Sequence, residues 1–350
     1  MFLFVLGESV ARALVIFIVL TLLPIFSASG KDLRFAVVPK FYSTFFDQSG
    51  NGCKEAAAQI AGVECIYRGP KVANVRMQDR IIEQLIDEGV DGIAVAVTQS
   101  KFLAENSLKK AKKAGIPIIT YDSDFDISPQ NNYHSLRLAY IGTDNFELGK
   151  ALGEELKKLR PNGGTLVIQT GRPDSPNLNQ RIMGIRSALS GKSYDAAPGL
   201  LLKNDRGWTE VREPFSNFDQ LTQAVKQMES VMKGKPIKAD SFIAVGGWPQ
   251  NNVDLYRSMI TPFKDKIDNK EVIIIMTDAA PRQLTMLQEQ LAHINIGQSP
   301  YEMGRKAILT LHKIVTKQQY DKMIYTPMRF CTQQNYDTCA KLQPMEAMAN

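Results

Sequence analysis

The chain alternates short apolar runs with helical spacing from Leu33 almost to its C-terminus. Continuous apolar runs at Gly92–Val97 and Ile116–Tyr121 predict buried β-strands. His293–Gly297 also predicts a strand, and Pro300 then opens a segment whose apolar residues recur with helical spacing. Buried strands that alternate with helices are typical of parallel sheets covered on both faces.

Two consecutive sets of such elements predict two doubly wound α/β lobes. In the first set, strands are predicted at Leu33–Pro39, Glu64–Tyr67, Gly92–Val97 and Ile116–Tyr121, and helices at Cys53–Ala61, Met77–Ile86 and Phe102–Ala114. In the second set, strands are predicted at Leu138–Gly142, Thr165–Gln169, Leu200–Leu202, Phe242–Val245 and Val272–Met276, and helices at Phe146–Lys158, Gln180–Leu189, Asp219–Met232 and Asn252–Phe263.

The two lobes are expected to be joined by ordinary crossing segments, because no long Gly/Ser linker separates them. We predict a first lobe of residues 31–142 plus a return segment at 299–326, and a second lobe of residues 143–298 plus the tail at 327–350. The stretch from Asn204 to Phe218, which holds Trp208 and Pro214, is interpreted as an inserted loop.

An apolar segment near the N-terminus has the layout of a secretory signal. Ala13–Phe26 is an almost unbroken apolar run, preceded by Arg12 and followed by the small residues Ser27–Gly30. The run is short for a membrane-spanning helix. We therefore predict a signal peptide at residues 1–29 and an exported, soluble protein that begins near Lys31.

The four cysteines are consistent with export. Four cysteines allow three pairings, of which Cys53–Cys65 with Cys331–Cys339 closes the shortest loops. Four reduced, partly buried thiols are the alternative. No metal site is predicted, since the cysteine spacings are not CxxC and the three histidines cluster neither with the cysteines nor with each other.

Charge gives little indication of a partner. The 42 Lys and Arg exceed the 36 Asp and Glu by six, and the surplus is spread along the chain. No helix-turn-helix signature or basic patch with interleaved aromatics occurs, so nucleic acid is not expected as a partner.

Polar and aromatic residues follow several predicted strands. The carboxyl ends of parallel strands share one crevice, where open α/β sheets bind ligands. Carboxylates, a guanidinium, an amide and aromatic faces suit a neutral ligand that is rich in hydroxyl groups. The strand-end residues are Tyr42–Phe46, Asp122, Gly246–Trp248, Asp278 and Gln298, and Arg181 is placed near the start of a helix that faces them.

Each candidate also has an ordinary structural explanation. Asp122 or Asp278 could cap the next helix. Phe45 and Phe46 could be core residues, and Trp248 could be a lobe-packing residue. Arg181 could be a solvated helix residue.

Catalysis has weak support in the sequence. No GxSxG elbow, phosphate-binding loop, dinucleotide fingerprint or HExxH motif is present. Asp122 and Asp278 could in principle form a glycosidase pair, but no apolar pocket that would raise one pKa is indicated by the sequence. We predict no catalytic residues and no cofactor.

Together these residues resemble the ribose/galactose-type periplasmic solute-binding proteins of ABC sugar importers, a family related to the effector domain of the LacI repressors. The matching segments occur in family order over nearly all of the chain after the signal. They are the aromatic pair Phe45–Phe46, IPIITYD ending at Asp122, YIGTDN ending at Asn145, NQRIMGIRSAL around Arg181, NFDQ around Phe218, IIIMTDAAP with Asp278 and IGQSPYEMG with Gln298.

The resemblance implies that the aromatic pair packs on a sugar ring and that Asp122, Arg181, Asp278 and Gln298 bond its hydroxyls. Ser43, Phe218 and Trp248 are placed in the same ligand site. Three positions depart from the ribose pattern: Ser123 stands in place of an arginine, and Gly247 and Ser43 each stand in place of an asparagine. The tail FCTQQNYDTC also lies beyond that pattern.

The resemblance further implies a periplasmic monomer that captures a sugar or sugar-like polyol between two hinged lobes. The closed form would deliver the ligand to the membrane permease of an ABC importer. An alternative with the same fold and site is a ligand sensor that docks on a histidine kinase or a chemoreceptor.

Overall fold

The computed structural model describes residues 32–126 and 132–341. The signal peptide predicted at residues 1–29 and the end of the tail, residues 342–350, lie outside these ranges. Among the described residues, no helix combines the length and the apolar character that crossing a bilayer requires.

Helices and strands alternate along the chain. The strands are β1 (Leu33–Val38), β2 (Val63–Tyr67), β3 (Gly92–Val95), β4 (Ile118–Tyr121), β5 (Tyr140–Gly142), β6 (Gly164–Thr170), β7 (Lys203–Asp205), β8 (Trp208–Glu210), β9 (Phe215–Ser216), β10 (Ser241–Ala244), β11 (Ile273–Thr277), β12 (Ile294–Gly297), β13 (Met323–Tyr325) and β14 (Arg329–Thr332). The helices are α1 (Thr44–Ala58), α2 (Val75–Asp87), α3 (Ser100–Glu105), α4 (Ser107–Lys113), α5 (Asn145–Leu159), α6 (Pro176–Ser190), α7 (Leu221–Met232), α8 (Trp248–Asn251), α9 (Val253–Ile260), α10 (Lys264–Asp268), α11 (Pro281–Gln288), α12 (Pro300–Val315) and α13 (Tyr336–Lys341).

The strands form two sheets. The first has the order β13-β5-β4-β3-β1-β2 and is parallel throughout. The second has the order β14-β12-β11-β10-β6-β8-β7, with β9 also paired to β6, and only β14 and β7 run antiparallel to their neighbours. The chain passes between the sheets after β5, after β12 and after β13. We call the halves built on these sheets the first and second lobes.

Each sheet is covered by an apolar core on both faces, as the continuous apolar strands predict. In β1, Phe35 and Val37 join the core that contains α1 and α12. Ala36 and Val38 join the opposite core, with α2, α3 and α4. Successive strand side chains point to opposite faces, so a strand buried on both sides must be apolar at every position.

The interpretation of Asn204–Phe218 as an inserted loop is wrong. The segment is part of the second sheet. It contains β8 and β9, which both pair with β6. The strand predicted at Leu200–Leu202 is also wrong, because β7 begins one residue later, at Lys203. Leu202 is apolar because it fills the core below this sheet.

Several helix predictions differ from the structure in extent; α6, for example, starts at Pro176, four residues before the predicted Gln180. α1 starts at Thr44 and not at Cys53. The sequence does not indicate this extension, because the polar stretch that holds Gly50 and Gly52 has low helix propensity. Packing outweighs that propensity: a Cβ atom at Gly52 would collide with the carbonyl of Tyr301 in α12, so the glycine allows close contact. The lysine-rich helix is interrupted at Asn106, which separates α3 from α4.

The short-loop disulfide pairing is confirmed. Cys53 in α1 bonds Cys65 in β2, with their Cα atoms 5.9 Å apart. Cys331 in β14 bonds Cys339 in α13, with a Cα separation of 5.8 Å. Each bond therefore fastens a helix to a strand within one lobe.

A buried ion pair fixes α6 to the strands beside it. Arg186 and Glu210 are joined by two hydrogen bonds, Nε to Oε1 at 2.7 Å and Nη2 to Oε2 at 2.8 Å. Their side chains are 2% and 0% exposed. Arg186 Nη1 also donates to the carbonyl of Gly199 at 3.0 Å, and Leu202 N–H donates to Glu210 Oε1 at 3.2 Å.

Removing one partner of this pair should be far more harmful than removing both. Arg186→Met should lower the free energy of unfolding by about 3–5 kcal/mol, because Glu210 would remain buried without its cation. The double variant Arg186→Met/Glu210→Leu should regain most of that loss, since an apolar pair needs no solvation. Urea unfolding of both variants measures the difference, and equal losses would contradict the role of the unpaired charge.

Candidate functional site

A cavity of about 650 Å³ lies between the lobes, at the carboxyl ends of the strands. Its walls come from both sheets, so neither lobe forms it alone. It is lined by every one of the predicted ligand residues: Ser43, Phe45, Phe46, Asp122, Arg181, Phe218, Trp248, Asp278 and Gln298.

Two aspartates at strand ends adopt the left-handed backbone conformation. Asp122 follows β4 with φ 57°, and Asp278 follows β11 with φ 75°. The helix after Asp278 is capped at Ala280, and no described helix uses Asp122 as its N-cap. The N-cap explanation is therefore wrong for both. Such backbone strain costs roughly 1–3 kcal/mol per residue and is concentrated at functional sites.

Arg181 lies inside the protein and is not a solvated helix residue. It sits in the middle of α6 and is only 2% exposed. Its Nε donates to Asn145 Oδ1 at 2.9 Å, its Nη1 to the carbonyl of Val245 at 2.8 Å and its Nη2 to Gln298 Oε1 at 2.8 Å. A Cβ atom at Gly149 would collide with the carbonyl of Arg181, so that glycine lets α5 pack directly against this part of α6.

Gln298 links Arg181 to Asp278, because its side chain forms a hydrogen bond with each of them. The guanidinium can only donate, so the Gln298 oxygen must face Arg181 and its NH₂ group must face Asp278. Gln298 Nε2 donates to Asp278 Oδ1 at 2.8 Å, and Gly247 N–H donates to Asp278 Oδ2 at 3.1 Å. Both carboxylate oxygens of Asp278 accept, so the arrangement requires its ionised form. Burial nevertheless raises the pKa of Asp278, against the attraction of Arg181.

Asp122 is buried in the cavity wall without such partners. Asp122 is 4% exposed, and none of the described residues donates a hydrogen bond to its carboxylate. Burial raises the pKa of Asp122, while the positive charges of Lys40 and Arg181 oppose that shift. The carboxylate therefore lines the cavity with acceptor capacity that a ligand could satisfy.

Three hydrogen bonds join the first lobe to the second lobe at the start of α6 or just before it. Lys40 Nζ and Ser123 Oγ both donate to Asn177 Oδ1, at 3.1 and 3.2 Å. Gln99 Nε2 donates to Asp174 Oδ2 at 2.9 Å. The first two of these contacts are buried. Burial lowers the pKa of Lys40, although Asp122 and Asp219 attract its charge.

The aromatic residues divide between core and cavity. Phe46 is mostly buried in the first-lobe core but also lines the cavity, and Phe45 meets it edge to face at 5.1 Å. Trp248 packs in the second-lobe core and donates its Nε1–H to Asp219 Oδ1 at 3.0 Å. Phe218 is 52% exposed. Phe46 and Trp248 thus each pack in a lobe core and also line the cavity.

A family model described as the periplasmic binding protein domain matches residues 35–319. The chain belongs to this family. The fold prediction is also confirmed by a solved ABC transporter solute-binding protein from Burkholderia graminis, in complex with D-arabinose. It has a TM-score of 0.74 at 29% identity, and the match covers 87% of this chain and 96% of that one. A second such protein, from Agrobacterium vitis with bound alpha-D-tagatopyranose, has a TM-score of 0.76 at 22% identity over 90% of this chain and 100% of that one, which shows the fold alone.

Curated relatives of this periplasmic binding protein are named for sugars. The D-ribose/D-allose-binding protein of Pseudomonas aeruginosa is 30% identical over 291 residues, which are 81% of this chain and 88% of the relative. The xylose/arabinose-binding protein of Sulfolobus acidocaldarius is 26% identical over 233 residues, or 61% of this chain. The chain spans 57% of that relative's length.

Sequence reasoning missed several polar residues of the binding protein's cavity, among them Lys40, Asp219 and Asn177. Lys40 comes two residues after β1 ends, so the strand-end rule could have found it. Asp219 directly follows Phe218 in the quoted NFDQ segment, and it also has positive φ. Asn177 lies at the start of α6, away from any strand end, and nothing in the sequence marks it.

The unpartnered state of Asp122 predicts an unusual stability change. Asp122→Asn should raise the free energy of unfolding of the unliganded protein by about 0.5–2 kcal/mol at pH 7, because it removes a buried charge. The folded-state pKa is raised above 3.8, so the cost of the charge disappears as the pH falls through that raised pKa, and the gain should shrink in acid. Denaturant unfolding at several pH values measures this.

Asp278→Asn is the matched control for that measurement. The amide NH₂ would have to face either Gln298 Nε2 or Gly247 N–H, which are both donors. No gain in stability is therefore expected for Asp278→Asn. A loss of stability in Asp122→Asn at pH 7 would show that its carboxylate is well solvated or paired.

Proposed function

We propose that this protein captures a neutral sugar or sugar-like polyol between its two lobes in the periplasm and delivers it to the permease of an ABC importer. The observation that carries this proposal is the Asp122 carboxylate, which is buried in the cavity wall and accepts no hydrogen bond from the described residues. A hydroxyl group is a donor that can satisfy it without adding charge.

The charges around the cavity favour a neutral ligand. The lining holds the carboxylates of Asp122, Asp219 and Asp278 and the cations of Lys40, Lys71, Arg172 and Arg181. Lys40 donates to Asn177, Arg172 pairs with Asp174, and Arg181 donates to three protein groups. Three of the four cations in the described lining are therefore already engaged within the protein, while hydroxyls can use both the acceptors and the donors of the lining. Phe45 adds an aromatic face for the C–H groups of a sugar ring.

The relatives support the same ligand class. The Pseudomonas protein is named for D-ribose and D-allose, and the Burkholderia structure contains D-arabinose. These proteins are named as binding proteins or transporter components, which favours import over the sensor alternative and over an enzyme. We propose that the protein works as a monomer.

The three positions that depart from the ribose pattern have roles inside the protein. Ser43 caps α1, with its Oγ accepting from Phe46 N–H at 3.4 Å, and Ser123 donates to Asn177. Gly247 N–H donates to Asp278. We infer that the choice among sugars depends less on these positions than on Asp122 and Lys40, whose charged groups line the cavity.

We propose that the lobes close by bending at the three crossings, with residues 31–142 and 299–326 moving against the remainder. Asn177 holds the closed form, because it accepts from Lys40 and Ser123 across the cavity. Ligand affinity then includes the free energy of closure, to which these bonds contribute.

A thermal-shift screen tests the ligand class. D-ribose, D-allose, D-arabinose or D-xylose should raise Tm, by about 2.7 kcal/mol of added stability at a concentration of 100 Kd, because only the folded state binds. Amino acids and sugar phosphates should have little effect, since three of the four cations that line the cavity already donate to protein groups. A tight amino-acid complex, together with no shift for any sugar or polyol, would refute the proposal.

Asn177→Ala tests the closure contacts. It should weaken binding of the sugar that gives the largest shift by about 1–2 kcal/mol, because two buried donors lose their acceptor when the lobes close. Asn179→Ala on the same helix is the control, since Asn179 bonds only to Pro173 within its own lobe. Isothermal titration measures both, and equal affinities would show that Asn177 does not hold the closed form.

A further inference from the structure

The C-terminal tail that follows β13 is fastened directly behind the cavity wall. β14 pairs antiparallel with β12, which places Arg329 opposite Gly297 and Cys331 opposite Asn295. Ser299 Oγ donates to the carbonyl of Pro327 at 2.9 Å, just before β14 begins. Cys331 and Cys339 are buried in the second-lobe core, so their disulfide holds α13 against β14.

Arg329 connects this tail to the ligand site. Its Nη1 donates to the carbonyl of Cys339 at 3.1 Å, and its Nη2 donates to the carbonyl of Gln298 at 3.3 Å. The carbonyl of Cys339 belongs to the last described turn of α13, and a cation is favourable near the C-terminal carbonyls of a helix. One guanidinium thus joins the end of a helix to the backbone of a cavity residue.

The orientation of Gln298 matters because its side chain lies between two charged groups. It accepts from Arg181 and donates to Asp278, and it has to keep both contacts at once. Gln298 stands just past the end of β12, where ladder hydrogen bonds no longer hold the backbone. Arg329 supplies a fixed donor at this point. Arg329 also attracts the charge of Asp278, which favours the ionised form on which the arrangement depends.

The disulfide is what keeps the acceptor of Arg329 in place. The described part of α13 has six residues, and so short a stretch of helix depends on other contacts for its stability. The Cys331–Cys339 bond ties its last turn to the strand that carries Arg329, only two residues from Cys331. Without that bond, the carbonyl of Cys339 would be free to move away from the guanidinium.

We propose that Arg329 is a positioning residue for the ligand site, and that the Cys331–Cys339 disulfide supports ligand affinity by holding Arg329 against Gln298. The inference rests on the proposed function, because its affinity measurement requires a sugar that the protein binds. It predicts unequal roles for the two disulfides, because Cys53–Cys65 joins α1 to β2 in the other lobe and makes no corresponding link to the cavity residues Asp278 and Gln298.

Affinity is measured for whichever of D-ribose, D-allose, D-arabinose and D-xylose gives the largest thermal shift with the wild-type protein. Arg329→Met and the double variant Cys331→Ala/Cys339→Ala should each bind that sugar about five- to tenfold more weakly, the equivalent of one hydrogen bond of roughly 1 kcal/mol. Arg329→Lys should recover part of the affinity, since an ammonium can still donate to the carbonyl of Gln298.

Cys53→Ala/Cys65→Ala is the matched control. It should lower Tm as the other disulfide variant does, because both bonds close short loops, but it should leave the affinity of the folded protein within about twofold of wild type. A purely structural role for the tail would give both disulfide variants the same affinity.

A measurement without ligand separates failure of this inference from failure of the proposed function. Amide hydrogen exchange of residues 294–299 should be faster in Arg329→Met and in Cys331→Ala/Cys339→Ala, and unchanged in the control. If no sugar binds the wild type but exchange follows this pattern, the proposed function fails and the positioning role stands. Unchanged exchange and affinity in Arg329→Met would overturn the inference, even if the tail disulfide variant did not fold.

Discussion

A buried guanidinium that must satisfy its N–H groups inside the protein organises the cavity wall of the second lobe. Arg181 comes from α6, and its partners come from the start of α5, the end of β10 and the end of β12. Removing any one partner would leave a buried charged group incompletely bonded, which costs more than the bond itself contributes. The ends of separate elements are therefore held in one arrangement, and the hydrogen-bond chain through Gln298 to Asp278 follows from it.

The opposite condition holds at Asp122. Its backbone has positive φ, its carboxylate is buried, and the described part of the chain provides it with no hydrogen bond. Each of these properties destabilises the unliganded fold. A residue that breaks local rules is expected where a ligand completes the structure, and here Lys40 and Arg181 offset only part of the cost. Asp278 differs, because both of its carboxylate oxygens accept hydrogen bonds from the protein. Asp122 therefore offers its acceptors to a ligand, whereas Asp278 also stabilises the site.

The sequence was sufficient to predict the strand-end residues of the cavity. Asp122 and Asp278 each follow a continuous apolar run that predicts a buried strand, and Gln298 follows the short strand predicted at His293–Gly297. The carboxyl ends of parallel strands lie along one edge. The same argument applies to Lys40, which lies two residues after the end of β1. Asn177 was not predictable, because its role depends on the distance across the cavity between two lobes, which no local pattern encodes.

Local pattern by itself determined the alternation of strands and helices, the two-lobed class and the separation of the cysteines into two short-loop pairs. These properties depend on periodicity and chain proximity, which are written along the sequence. Tertiary structure alone decided that α1 extends back through its glycines, that residues 204–218 join the second sheet, and that Arg329 bonds to both Cys339 and Gln298. In each case the deciding contact lies between segments distant in sequence or depends on burial, and its free energy outweighs the local preference of the residues involved.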